Sequence, residues 1–306
     1  MAKQKSYLGW QIDYANPAGE ASLVPPDSVS WQIFKNPVVL AIGGVCAVLL
    51  EFADARIRSG VWEHSTFRTD PVGRSRRTAI AAMVGVFGPA SAARRVIQGV
   101  TNMHAHVRGE TPSGEAYAAL DSDLLNWVSA TATYGFLTSY DRYVSPLSNQ
   151  DKTRFFEEGA PVSRLYGVTS PALSPADFHT LLEGLLPRFE PHPINTEFLD
   201  IMRSGRAAPG APRGLQSALV HAAVAILPPE VRQILELGEE YNLSPRGERI
   251  VRAMAKTAER LPDPFSPAAQ ASRRLGLTWS YPWKSPEHRT RLMLRQRQKP
   301  GSAVTN

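Results

Sequence analysis

"PVVLAIGGVCAVLLEFADA", Pro37 to Ala55, is the most hydrophobic run of the chain, and its reading decides the fold. A membrane-spanning helix needs about 20 mostly apolar residues. This run reaches that length only by including Glu51 and Asp54, and it holds two glycines, Gly43 and Gly44. It therefore reads as a helix buried in a protein core, and no transmembrane segment is expected. Asn36 before Pro37 is a helix-start signal: a side-chain cap, then a residue whose missing N–H costs nothing in the first turn.

Outward from this helix the pattern stays helical. "ARIRSGVWEHSTFRTDP" carries a break at Gly60 and a turn at Asp70-Pro71. A helix is predicted from about Gly73 to Phe87, and a second over "GPASAARRVIQGVTNMHAHVRG", opened by Pro89 and Ser91 and closed by Gly109. "DSDLLNWVSATATYGFLTSYDRYV" is a third, with Asp121 as its cap; Ser148 caps another, and "SPADFHTLLEGLLPRFE" repeats the same grammar. Further helices are predicted at "LQSALVHAAVAIL", "PPEVRQILELGEEYN" and "RGERIVRAMAKTAERL". Pro191 to Gly214, rich in Pro, Gly and Ala, reads as a long connector, and no period-2 strand is evident. Twenty-five prolines imply many short helices. The expectation is all-α: an extended irregular arm (1–30), one large multi-helix domain (31–283) and a basic flexible tail (284–306).

Composition narrows the function classes. The chain of 306 residues is 43% hydrophobic and 20% charged, so it can bury a substantial core. One cysteine, Cys46, leaves no disulfide framework and no Cys-rich metal site, and fits a reducing compartment. With no apolar leader in "MAKQKSYLGWQIDYANPAGE", the expected location is cytoplasmic. Most of the net charge of +6 sits in the tail, on Lys284, Arg289, Arg291, Arg295, Arg297 and Lys299 against Glu287, so the body is near neutral and nucleic-acid binding is not expected. There is no HExxH, CxxC, GxGxxG, P-loop or GxSxG motif, so hydrolase, nucleotide and zinc readings lack support.

Two constellations carry chemistry. In "TNMHAHVRGE", Thr101 to Glu110, a helix puts His104 near the apolar stripe of Val96, Val100, Met103 and Val107, whereas His106 points away, so the two cannot share a metal. That leaves two readings of His104 with Arg108 one turn on: a core histidine beside a dipole-pairing arginine, or a single axial ligand for haem iron. In "FRTDPVGRSRRTAI", Arg74, Arg77 and Thr78 share one face at i, i+3 and i+4. Cations at a helix N-terminus oppose its dipole, which asks for an anionic partner or a functional reason. His221, on an apolar helix, is a second axial candidate; His179, His192 and His288 have no mutual ligand spacing.

The words "HSTFRTDPVGRSRRT", "ARRVIQGVTNMHAHVRG", "LLNWVSATATYGFLTSYDRYVSPLS" and "LYGV" resemble, in order and spacing, the oxygenases that include the fungal mycophenolic-acid side-chain-cleaving enzyme and the bacterial rubber oxygenase (latex clearing protein). The resemblance covers roughly His64 to Leu186. It implies an all-α, globin-reminiscent bundle holding haem b, with O2 as co-substrate, an apolar isoprenoid or lipid-like alkene as substrate, and an external reductant as a further partner. His104 and Arg108 match the family's proximal H-x-x-V-R pattern, with His104 the iron ligand, and His64 falls in a family word beside the cofactor. Arg74, Arg77 and Thr78 match its distal R-x-x-K-T pattern, the wall against bound dioxygen, except that Arg77 replaces lysine. Arginine is a fixed planar cation, so capping of iron by residue 77 is not expected, whereas stabilising an oxygen by charge is. Ser129 stands where many relatives carry histidine. Tyr134 and Tyr140 follow it on the same helix, as pocket or core residues. The alternative is a non-catalytic helical binding protein that keeps the fold and an apolar pocket.

Overall fold

The computed structural model describes residues 6–7, 10–206 and 212–297. Its helices are α1 (Val29–Phe34), α2 (Pro37–Phe52), α3 (Ala55–His64), α4 (Pro71–Phe87), α5 (Ala90–His104), α6 (Ser122–Tyr143), α7 (Asn149–Leu165), α8 (Pro175–Leu185), α9 (Pro193–Arg203), α10 (Arg213–Val224), α11 (Pro229–Ile234), α12 (Pro245–Arg260), α13 (Pro267–Arg274) and α14 (Pro286–Arg297). The fold is all-α, as the sequence implies. Among the described residues no helix is long and apolar enough to cross a membrane.

The quoted run is the central helix, α2. Val39, Ile42, Val45, Cys46, Leu49, Leu50 and Phe52 are buried on it. It lies against α6 along most of its length and also touches α10 and α12. Gly43 explains the closeness of α2 and α6: a Cβ there would stand 2.8 Å from the Gly135 carbonyl group. The two backbones meet, and only glycine at both positions allows it.

Asn36 starts α2 as expected. Its Oδ1 accepts from the Val38 and Val39 N–H groups at 3.2 and 3.3 Å, and its Nδ2 donates to the Ala255 carbonyl at 2.9 Å. The side chain is fully buried, so it joins α2 to α12 as well as capping α2. Asn36→Ala is expected to cost about 2 kcal/mol, the upper range for a lost cap, read as a lower urea midpoint at unchanged slope.

Several local expectations are corrected. Two short antiparallel hairpins form where no strand was predicted: β1 (Ser6–Tyr7) with β2 (Trp10–Gln11), and β3 (Arg108–Glu110) with β4 (Ala116–Ala118). Helix α5 stops at His104, so Val107 and Arg108 lie outside it, and Met103 is 43% exposed rather than core. The cause is tertiary. Tyr117 of β4 is buried over α3 and β3, and a Cβ on Gly109 would fall 2.7 Å from its hydroxyl oxygen. A Cβ on Gly60 would fall 3.3 Å from the same ring. Gly60 therefore lies inside α3 and makes room for Tyr117 instead of breaking the helix.

The expected connector from Pro191 to Gly214 holds α9, while residues 207–211 of it lie outside the described residues. His192 Nδ1 accepts from the Ile194 N–H at 3.1 Å and starts the helix. Phe198 then packs against Phe52 and Phe67, with ring centroids 5.6 and 5.2 Å apart. Within the arm, Ile12, Tyr14 and Val24 are buried in a second cluster with Trp31, Val84, Phe87 and Val96. Buried Arg274 donates to the carbonyls of Tyr14 and Glu20 at 2.7 and 2.8 Å, holding the arm in place. Residues Pro286–Arg297 of the basic tail form α14.

Candidate functional site

Helices α4 and α5 are consecutive and packed together, and the charge of Arg74 near the start of α4 acts on His104 at the end of α5. That arrangement brings Arg74 towards His104, thirty residues away in sequence. Asp70 begins α4 by accepting from the Gly73 N–H at 2.8 Å. Arg74 Nε donates to Ser65 Oγ at 3.2 Å, and its guanidinium bonds the Thr78 hydroxyl one turn on. Thr78 in turn donates to the Arg74 carbonyl at 3.1 Å. Arg77 turns aside: it donates to Thr66 Oγ1 at 2.5 Å and pairs with Asp70 at 3.6 Å. Of the three residues expected on the distal wall, the structure groups Arg74 and Thr78 and ties Arg77 to the 65–70 loop.

His104 is half-buried, and its Nδ1 is buried with no hydrogen-bond partner among the described residues. Burial, helped by the nearby Arg74 charge, holds its pKa below the usual imidazole value. It is therefore a neutral imidazole at neutral pH, the form that binds a metal. His106 is exposed in the turn after α5 and does not share its setting.

Glu51, at the C-terminal end of α2, belongs to the same constellation. Burial pushes its carboxyl up to about 7, opposed by the Arg74 charge and by the Thr131 hydroxyl, which donates to Glu51 Oε1 at 3.4 Å. Four helices thus contribute: Glu51 from α2, Arg74 and Thr78 from α4, His104 from α5 and Thr131 from α6. Glu51 was visible in the sequence as an acid interrupting an apolar helix. It counted there against a membrane span, and its helical phase alone gave it no partner.

The remaining expected residues lie elsewhere. His64 ends α3 exposed, with Nε2 3.4 Å from the Tyr117 hydroxyl, which donates to Glu63 at 2.8 Å. Arg108 is exposed on β3. Tyr134 stacks on Phe178 at 4.2 Å and donates to the Ile226 carbonyl; Tyr140 is buried between Gln32 and Glu259. Both tyrosines are core residues. Ser129 Oγ donates to Ser163 Oγ at 2.8 Å, joining α6 to α7. His221 is half-buried, its Nε2 without a hydrogen-bond partner among the described residues and its ring edge-on to Tyr241 at 6.3 Å.

The family model described as ER-bound oxygenase mpaB/B'/Rubber oxygenase, catalytic domain, matches residues 31–260. The chain belongs to this family. The match runs from α1 to the end of α12 and so contains every residue of the His104 constellation. Searches of curated proteins and of solved structures found no significant match. As a member of the mpaB/rubber oxygenase family the protein is an oxygenase, a class whose chemistry uses O2.

A haem is the group the family resemblance implies, and the residues fit it. Among the described residues no three His, Cys, Asp or Glu side chains gather as a metal cage. A tetrapyrrole supplies four nitrogens of its own and asks the protein for one axial imidazole. His104 offers a neutral ring with a buried, unpartnered nitrogen, and exposed Met103 and Ala79 put apolar surface on its own and the neighbouring helix.

Proposed function

We propose that this oxygenase holds haem b through His104 and oxidises or cleaves an alkene in an apolar, isoprenoid or lipid-like substrate. The observation that carries the reading is the unpartnered, neutral His104 imidazole facing Arg74 across the α4–α5 hairpin. The bound haem would supply the iron at which O2 is activated. Everything else falls to the chain's own residues. Arg74 places a permanent positive charge beside the reaction centre, where it stabilises negative charge that develops on oxygen. Thr78, fixed by Arg74, presents a hydroxyl to the same space. Glu51, with a pKa near neutrality, holds or releases a proton at Oε1 or Oε2 at the working pH. Arg108, four residues beyond His104, is an exposed cation available to a haem propionate. His64, exposed beside Tyr117 at the end of α3, is the remaining polar residue the resemblance would set near the cofactor. An external reductant completes the set where the reaction consumes electrons.

Purification with haem available tests the reading. The absorption spectrum is expected to show a Soret band that His104→Ala loses and His106→Ala keeps. Loss in neither variant, or a protein that stays colourless on reconstitution, would exclude His104 as the axial ligand. A band lost instead in His221→Ala would move the assignment to α10.

A further inference from the structure

Helix α12 has two different apolar faces. One is core: Gly247, Val251 and Ala255 are buried against α2 and α10. The other is open. Ile250, Met254, Thr257 and Leu261 fall within about 60° of arc at 3.6 residues per turn. Ile250 is 41% and Leu261 64% exposed. Val38, Ala253, Met254, Thr257, Ala258 and Leu261 line a shallow groove of about 400 Å³ along this face. Four residues beyond Leu261, Phe265 is 80% exposed.

The charges on α12 are sorted to match. Arg246, Arg249, Lys256 and Arg260 are all exposed and flank one side of the open apolar stripe. Among the described residues none of the four pairs with a carboxylate. Both acids of α12 point the other way: Glu248 pairs with Arg142 and Arg252, and Glu259 with Lys35. An apolar stripe flanked by unpaired cations, with no acid on that side, is the pattern of a helix that lies in a membrane interface. Asp263, in the loop before Phe265, is the one acid between Leu261 and Phe265 in sequence.

We propose that this face docks the protein on an anionic lipid bilayer, with Leu261 and Phe265 entering the interface and the four cations meeting lipid headgroups. The surface is separate from the His104 constellation. Val38 in the groove and Glu51 in the site are thirteen residues apart on α2, about 20 Å along the helix. Docking therefore holds the molecule at a store of lipophilic substrate without touching the chemistry, and it stands whether or not haem is bound.

Co-sedimentation of the full chain with vesicles tests it. The protein is expected to pellet with phosphatidylcholine vesicles containing phosphatidylglycerol, less at high salt, and to stay in solution with phosphatidylcholine alone. Each cation removed should weaken partitioning about fivefold, so Arg249→Gln with Arg260→Gln loses about 25-fold. Leu261→Ser with Phe265→Ser should lose at least about tenfold, given the apolar area withdrawn. Phe265→Ser alone, at a loop position, serves if the double variant misfolds. Arg291→Gln on α14 is expected to bind as the parent does. A protein that ignores anionic vesicles would overturn the proposal, as would α12 variants that bind normally while Arg291→Gln does not. Self-association abolished by Leu261→Ser would overturn it in favour of a second copy on this face.

Discussion

Glu51→Gln is expected to lower turnover of an isoprenoid alkene, followed as oxygen uptake, by about 10² to 10⁴-fold, the range for a proton-transfer group. The same substitution should stabilise the protein above pH 7. Burial raises the Glu51 pKa from the ordinary 4.5 to about 7, so between these values the folded state holds a proton that the unfolded state has released. Stability therefore falls as pH rises through that window, by about 3 kcal/mol in all. Glutamine has no such cost and still accepts from Thr131. The variant should match the parent best below pH 4.5 and exceed it near pH 8, in denaturant melts at about pH 4 and pH 8. Lost activity together with gained stability is the signature of a group kept for chemistry. If oxygen uptake and its pH profile are unchanged in Glu51→Gln, the carboxyl moves no proton in the reaction.

Gly135→Val should be the most damaging single change to the fold. A Cβ at this position would run into the Gly43 carbonyl oxygen, a backbone atom in the middle of the central helix that no rotamer change can move. The α2–α6 crossing would have to open, at about 3 kcal/mol or more, lowering Tm by about 6 to 12 °C in a domain of this size. Because Glu51 and Thr131 sit on these two helices, their contact should loosen with the crossing. Gly44→Ala is the contrast. A Cβ there meets nothing within 4 Å, and a mid-helix glycine replaced by alanine should gain about 0.5 to 1 kcal/mol. Calorimetry of the two variants separates packing from helix propensity. Equal melting temperatures would show that the glycines are not there for the crossing.

Much of the fold and part of the site were legible in sequence because they rest on local rules. Asn36-Pro37, Ser148 and Ser174 each mark a helix start through a cap that acts within three residues, whereas Asp70-Pro71, which reads as a turn ahead of a helix from Gly73, is itself the start of α4. Helical spacing put Arg74 and Thr78 on one face and separated His104 from His106, and the structure keeps both relations. The family resemblance is a sequence property too, and the match over residues 31–260 bears it out.

What sequence spacing could not decide is where a helix stops for the sake of a neighbour, and which distant groups share a space. Nothing local to Val107 and Arg108 forbids a further helical turn; Tyr117 over Gly60 and Gly109 turns the chain into a strand. Helix α9 has apolar residues at helical spacing (Ile194, Phe198, Leu199, Ile201), but the surrounding prolines, glycines and alanines make the stretch read as a connector, and Phe198 packs it on Phe52 and Phe67. Arg77 looks equivalent to Arg74 on a helical wheel and is drawn off by Asp70 and Thr66. Glu51 becomes part of a site only when α2, α4 and α6 are packed, since burial and the field of Arg74 act through space. The sequence by itself determined the all-α class, the main helix starts and the family; tertiary packing alone set the helix ends and which charges face His104, because those depend on contacts between residues far apart in the chain.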